Sequence, residues 1–373
     1  MGALAFKNCP VTRRLAIRNP GQNAGEACQP LRRQMRMGPV MISRPYLIFL
    51  GDADSVPLAK TAFGVRDWLP DQTVGQWRLP GCGVDLDLPE LTARQAVAKG
   101  ARSMLLGIAP VGGAIPSAWT PHLIAALEAG MDLVSGLHTR LSDIAEVREA
   151  AQRLGRTLHD VRHSDRTFPI ATGRKRSGKR LLTVGTDCAL GKKYAALAIT
   201  RALKARGVDA DFRATGQTGI MIAGEGVAID AVVADFVAGA AEALSPDAAA
   251  DHWDVIEGQG SLFHPAYAGV TMGLIHGSQP DALVLCHDPL RKTLHSHQDY
   301  PIVSLQVAID RFVEAARLTN PAAKVVGISL NTSEMDEALA SSTLATLQAE
   351  HGLPCFDPMS SNLDPFIHEI LAL

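Results

Sequence analysis

Short apolar runs, each ended by glycine or a polar cluster, recur from about residue 45 onward, and stretches of helical composition separate several of them. Tyr46-Leu47-Ile48-Phe49-Leu50 has no polar position, as a strand covered on both faces requires. Further strands are expected at 103–108, 132–137 and 157–161, with helices over 90–99, 121–129 and 144–154. Strands that alternate with helices imply a parallel sheet of Rossmann type, here over 42–171.

Residues 172–180 break the pattern. They are polar, glycine-bearing and basic (Arg174, Lys175, Arg176, Lys179, Arg180) and read as a linker, with Arg174 a candidate contact for an anionic ligand and solvated charge the alternative. The alternation then resumes over 181–373. Strands are expected at 181–184, 209–214, 252–257, 282–288, 324–330 and 354–358, and helices at 195–204 and 227–243. The fold class is therefore α/β with two domains: an N-terminal Rossmann-like parallel sheet and a C-terminal doubly wound parallel sheet of P-loop NTPase type.

Composition narrows the function classes. The net charge of -2 on 373 residues offers no bulk field for nucleic acid. No apolar span approaches the ~20 residues of a transmembrane helix. The six cysteines lack metal or disulfide spacing and suit a reducing cytoplasm. Residues 1–41 differ, with Lys7, Arg13, Arg14, Arg18, Arg32, Arg33 and Arg36 against the lone acid Glu26. They read as a poorly ordered basic extension, with Met35, Met37 or Met41 as the working initiator. A small-molecule enzyme, assembled as a homo-oligomer, is the expectation that remains.

The chemistry centres on Gly185-Thr186-Asp187-Cys188-Ala189-Leu190-Gly191-Lys192-Lys193-Tyr194, set between a strand and a helix. Gly185 and Gly191 let successive N–H groups turn inward, the helix dipole adds positive potential, and Lys192 can reach a phosphate oxygen. Nucleotide-hydrolysing loops end in Gly-Lys-Ser/Thr because the hydroxyl holds magnesium. Lys193 stands there instead, and an ammonium repels a divalent ion. A phosphate-rich ligand that reacts away from its phosphates, such as coenzyme A, fits such a loop, and no metal is expected.

Other candidates sit where strands end. Gly216 and Gly219 frame Gln217 and Thr218 and permit close approach to a ligand. Glu257-Gly258-Gln259-Gly260-Ser261 follows another strand, at the edge where α/β sheets bind ligands. Gly112 and Gly113 form either an anion nest or a tight connection; Ser135, Gly136, His138 and Arg140 are ligand contacts or a capped loop. The His295-x-His297 spacing invites a metal, but no Cys or carboxylate pair completes it.

Gly185-Thr186-Asp187 and Glu257-Gly258-Gln259-Gly260 resemble the dethiobiotin-synthetase branch of P-loop proteins. The chain from about Met41, with its Rossmann-like half, its two-lysine loop and Glu257-Gly258-Gln259-Gly260-Ser261-Leu262, more closely resembles a bacterial family whose members are assigned as D-glutamate N-acetyltransferases. That resemblance implies acetyl-CoA as donor, D-glutamate as acceptor and a place in D-glutamate catabolism. The rival is an ATP- and magnesium-dependent ligase or carboxylase of dethiobiotin-synthetase type.

Acetyl transfer to an amine needs a base, an oxyanion site and cations for the acceptor carboxylates. Glu257, His264 and Asp187 are the candidate bases, Glu257 preferred because the end of a buried strand raises a carboxyl pKa. Gln259 and the N–H groups of 258–261 are candidates for the oxyanion. Arg213, Lys193 and Arg291 are the candidate carboxylate ligands, with Gln217 beside them.

Overall fold

The computed structural model describes residues 42–163 and 166–373. The basic segment 1–41 lies outside the described residues.

In the first half, β1 (Tyr46–Gly51), α1 (Lys60–Trp68), β2 (Thr73–Arg78), α2 (Ala93–Ala98), β3 (Ser103–Leu106), α3 (Thr120–Ala129), β4 (Asp132–Ser135), α4 (Ala145–Leu154) and β5 (Leu158–Asp160) alternate. The five strands form one parallel sheet, ordered β2-β1-β3-β4-β5. All of β1 is buried, which is why its sequence carries no alternation. Local chemistry starts α2: Thr92 and Gln95 make a reciprocal capping box.

The second half begins with β6 (Lys179–Gly185), α5 (Lys192–Ala205), β7 (Ala210–Arg213), α6 (Gln217–Ala223), α7 (Val237–Leu244), β8 (Trp253–Ile256), α8 (Ala268–Ser278) and β9 (Ala282–His287). The hairpin β10 (Thr293–Leu294) and β11 (His297–Pro301) precedes α9 (Leu305–Arg317), β12 (Lys324–Leu330), α10 (Glu337–His351), β13 (Cys355–Phe356) and α11 (Asp364–Leu371). Six parallel strands pair in the order β13-β12-β9-β6-β8-β7. The order switches direction at β6, so the crevice beyond its carboxyl end is where such a sheet takes a ligand.

The two sheets share an apolar interior. Leu47, Phe49 and Leu133 belong to the same packed cluster as Leu197 of α5 and Ile220 and Met221 of α6. Polar ties reinforce it: Arg44 Nη2 donates to Ile222 O (2.7 Å) and the Tyr46 hydroxyl to Met221 O (3.1 Å), satisfying carbonyls at the end of α6. The result is that α1 and α6 face each other beside the crevice, joined by the Thr61 and Thr218 hydroxyls at 2.8 Å.

Several expectations change. The helix predicted over 227–243 is limited to α7, with single 3₁₀ turns at Ile229–Ala231 and Ala234–Phe236 before it. Gln217 and Thr218 open a helix rather than a loop. The basic segment is not simply solvated: Arg176 is 7% and Arg180 0% exposed, and Lys179 and Arg180 already belong to β6. The guanidinium groups of Arg176 and Arg180 serve helix ends, Arg176 donating to Ser245 O (2.7 Å) and Gly277 O (2.8 Å), Arg180 to Pro246 O (3.0 Å). Arg174 is exposed and held by Asp247 at 2.5 Å, away from the crevice, so the anion-contact reading of it is withdrawn.

Candidate active site

The loop after β6 closes on itself. Lys192 is buried at the first turn of α5 and donates to Asp187 O at 2.8 Å; burial lowers its pKa. Thr186 Oγ1 meets His287 Nδ1 at 2.9 Å, and burial pushes that imidazole down to about 4, which leaves it neutral. Asp187 is fully buried and bonded through both oxygens. Its Oδ2 takes Arg291 Nη1 (2.9 Å) and the His295 N–H (2.7 Å), and its Oδ1 the Cys188 N–H (2.6 Å).

That geometry corrects two assignments. Asp187 has no oxygen free to accept a substrate proton. Arg291 is committed to Asp187 and to Cys188 O (2.7 Å), so it braces the loop instead of meeting an acceptor. His264 is likewise satisfied, with Nδ1 accepting the Ala266 N–H (3.2 Å) and Nε2 donating to His295 O (3.1 Å), and it stacks on Tyr267. Ligand atoms of Asp187, Cys188 and His264 lie within 4.8 Å of one another, yet the Asp187 and His264 donors are already occupied by these bonds. Arg213 pairs with Asp254 (2.5 Å) and Asp211 (3.3 Å), outside the crevice, and also leaves the acceptor set.

Glu257 is different. It directly follows β8 and is 4% exposed, and its Oε2 accepts the N–H groups of Thr215 (2.9 Å) and Gly216 (3.1 Å). Its Oε1 has no hydrogen bond among the described residues. Burial raises its pKa, and the two N–H donors and the Lys193 charge only partly oppose this. A Cβ on Gly219 would lie 2.2 Å from Oε2, so the absence of a side chain there is what admits the carboxylate. Gln259 Nε2 donates to Thr215 Oγ1 (3.2 Å), beside Glu257. Gly258 N–H is spent on Thr183 Oγ1 (2.9 Å), which removes it from the candidate oxyanion donors.

Lys193 leaves the loop and crosses to the other domain. A Cβ on Gly64 of α1 would sit 2.7 Å from its Nζ. Its ammonium lies over the Tyr194 ring at 4.9 Å and makes no hydrogen bond or ion pair among the described residues. Burial pulls its pKa down to about 8, with Lys60 adding to the fall and Glu257 and Asp67 resisting it. The Tyr194 hydroxyl donates to Asp67 Oδ2 (3.2 Å), tying α5 to α1.

One cavity of about 1450 Å³ joins these parts. It is lined by 188–194, 216–218, 257–260, 330–335 and 357–361 of the second half and by Lys60, Phe63, His138 and Arg162 of the first. The volume exceeds the roughly 300–1,000 Å³ of a pocket for one small ligand and suits two substrates side by side. Of the first-half candidates, His138 reaches the cavity, Gly113 accepts the His138 N–H (3.0 Å) in a tight connection, and Arg140 is exposed outside it. Lys60, Arg162 and the 357–361 loop were missed by sequence reasoning. Only the strand ends before 331 and 357 carried a signal, as sites of ligand binding in such sheets.

Comparison with known proteins agrees with this architecture. Family models for a domain of unknown function, DUF1611, match twice: a Rossmann-like domain over 77–164 and a P-loop domain over 169–367. A protein of Tritonibacter scottomollicae named D-glutamate N-acetyltransferase is 52% identical over 85% of this chain and 96% of its own length. One of the same name from a Pseudoalteromonas species is 46% identical over 88% and 99%. The crystal structure of a DUF1611 protein from Anabaena variabilis, 34% identical, superposes with a TM-score of 0.78 over 89% of this chain and all of that one. With both halves matched in order and relatives covered nearly end to end, the chain belongs to the DUF1611 family, alongside proteins named D-glutamate N-acetyltransferase.

Proposed function

We propose that this protein is an N-acetyltransferase that moves the acetyl group of acetyl-CoA to the amino group of D-glutamate, in the breakdown of that amino acid. The names of its relatives support the acceptor and the reaction class. The observation that carries the mechanism is a buried carboxylate with one oxygen free, Glu257, sharing a cavity with an unpaired Lys193 and a phosphate loop.

The loop suits the donor. Its inward N–H groups and Lys192 would hold the pyrophosphate of coenzyme A, and the cavity leaves room beyond them for a long acyl arm. Lys193 occupies the place of a magnesium-binding hydroxyl, so the reading in which ATP is hydrolysed loses support. Bound acetyl-CoA supplies the activated thioester carbonyl. Glu257 Oε1 takes a proton from the acceptor ammonium, which frees the nitrogen lone pair to form the C–N bond. The Gln259 amide and the N–H groups of Gln259 and Gly260 face the developing oxyanion. Attack leaves the nitrogen with one proton more than the amide needs; as the C–S bond breaks, one of the two protons the nitrogen gives up passes through Glu257 to the departing thiolate and the other leaves to solvent. Lys193 holds the carboxylate next to the reacting amine.

The test is direct. Purified protein with acetyl-CoA and D-glutamate is expected to release thiol and form a product heavier by one acetyl group, with L-glutamate far slower. Thiol release no faster than without protein would end the proposal.

A further inference from the structure

We propose that Lys60, at the start of α1, selects an acidic side chain in the acceptor by binding its distal carboxylate. The proposal rests on the acetyl-transfer reading and adds to it the origin of acceptor specificity.

Two ammonium groups from different domains meet in the cavity. Lys60 and Gly64 are four residues apart in α1 and so lie on one helix face, about one 5.4 Å turn from each other. Because Gly64 has no side chain, Lys193 Nζ rests against that same face, within 2.7 Å of where a Cβ would be. The charge of Lys60 is felt there, since it helps to depress the Lys193 pKa. Neither lysine has a hydrogen bond or ion pair among the described residues.

The other cations lining this end are spoken for. Lys192 is folded onto Asp187 O at 2.8 Å, and Arg162 is bound to Asp230 at 2.6 Å. What remains at this end is two free ammonium groups and one carboxylate without an ion pair among the described residues, Glu257, since Asp230 is paired with Arg162. D-glutamate is the mirror of that set, with two carboxylates and one ammonium. The Gly64 position that Lys193 Nζ meets is also 3.0 Å from Thr218 Cγ2, next to Gly219, whose missing side chain admits Glu257; Lys193 therefore stands near the amine and its adjacent carboxylate. Lys60, a turn further along α1, is left for the carboxylate at the far end of the side chain. The opposite end of the cavity carries Glu334, Glu337 and Asp357 and repels an acidic acceptor.

Lys60 is exposed, so removing its charge leaves the core intact. Steady-state kinetics of Lys60→Ala, with D-glutamate and acetyl-CoA varied in turn, test the role. The KM for D-glutamate is expected to rise at least about fivefold, with the KM for acetyl-CoA and the melting temperature unchanged and Lys60→Arg close to wild type. A smaller rise overturns the proposal. An equal rise in the KM for acetyl-CoA also overturns it, because Lys60 would then serve the donor. If wild type acetylates no D-glutamate at all, the acetyl-transfer reading has failed first, independently of Lys60.

Discussion

Asp187 and Glu257 stand beyond the ends of the neighbouring strands β6 and β8, and each is almost wholly buried. Their surroundings differ in kind. Around Asp187, a guanidinium and two backbone N–H groups engage both oxygens, so the charge is neutralised and neither oxygen is left without a donor. Around Glu257, two N–H groups hold one oxygen, and it makes no ion pair among the described residues, Lys193 acting on it only through its charge. Burial alone therefore does not make a carboxylate reactive. An oxygen left unfilled in a desolvated place does, and the saturated partner next door serves to shape the loop.

The comparison is broken most sharply at Glu257. Replacing it by Gln keeps its size while removing the base, and kcat is expected to fall by about 10²–10⁴-fold, with acetyl-CoA binding by calorimetry retained. Normal turnover would give the carboxylate a purely structural part. On the other side, Arg291→Ala strands the Asp187 charge and should destabilise the fold by about 3–5 kcal/mol in urea unfolding. Removing both partners, Asp187→Asn with Arg291→Ala, should restore part of that loss; a double variant no more stable than the single one would show that the pair is not the brace described here.

Smaller effects sharpen the contrast. In the free enzyme kcat/KM should rise with pH as Glu257, held above the usual carboxylate range, gives up its proton, and fall above about 8 as Lys193 loses its charge. Lys193→Met should erase the alkaline limb and leave the acid one; a surviving alkaline limb assigns it elsewhere. The smallest expected effect is none: EDTA should leave acetyl transfer unchanged, and inhibition reversed by magnesium would reinstate a metal beside Lys193.

Much of the scaffold was legible from local pattern. Buried parallel strands such as β1, β9 and β12 write themselves as unbroken apolar runs, and the phosphate loop is contiguous in the chain. α1 and β2 were not found, because α1 carries Gly64 and a weak apolar stripe and β2 is a half-exposed edge strand. That gap hid the site's other wall. Arg213, Arg291 and Asp187 looked like free catalytic groups for a related reason: charged side chains at strand ends read alike until their partners are known.

Sequence by itself determined the two parallel sheets, the cradle for phosphate and the presence of Lys193 where a hydroxyl is usual, since each follows from residues close together in the chain. Tertiary structure alone decided which charges are spent and which are free. Asp187 meets Arg291 across 104 positions, and Lys193 meets Gly64 across a domain boundary. An ion pair or an open carboxylate oxygen is a property of distances in space, and residue order does not encode those without the fold.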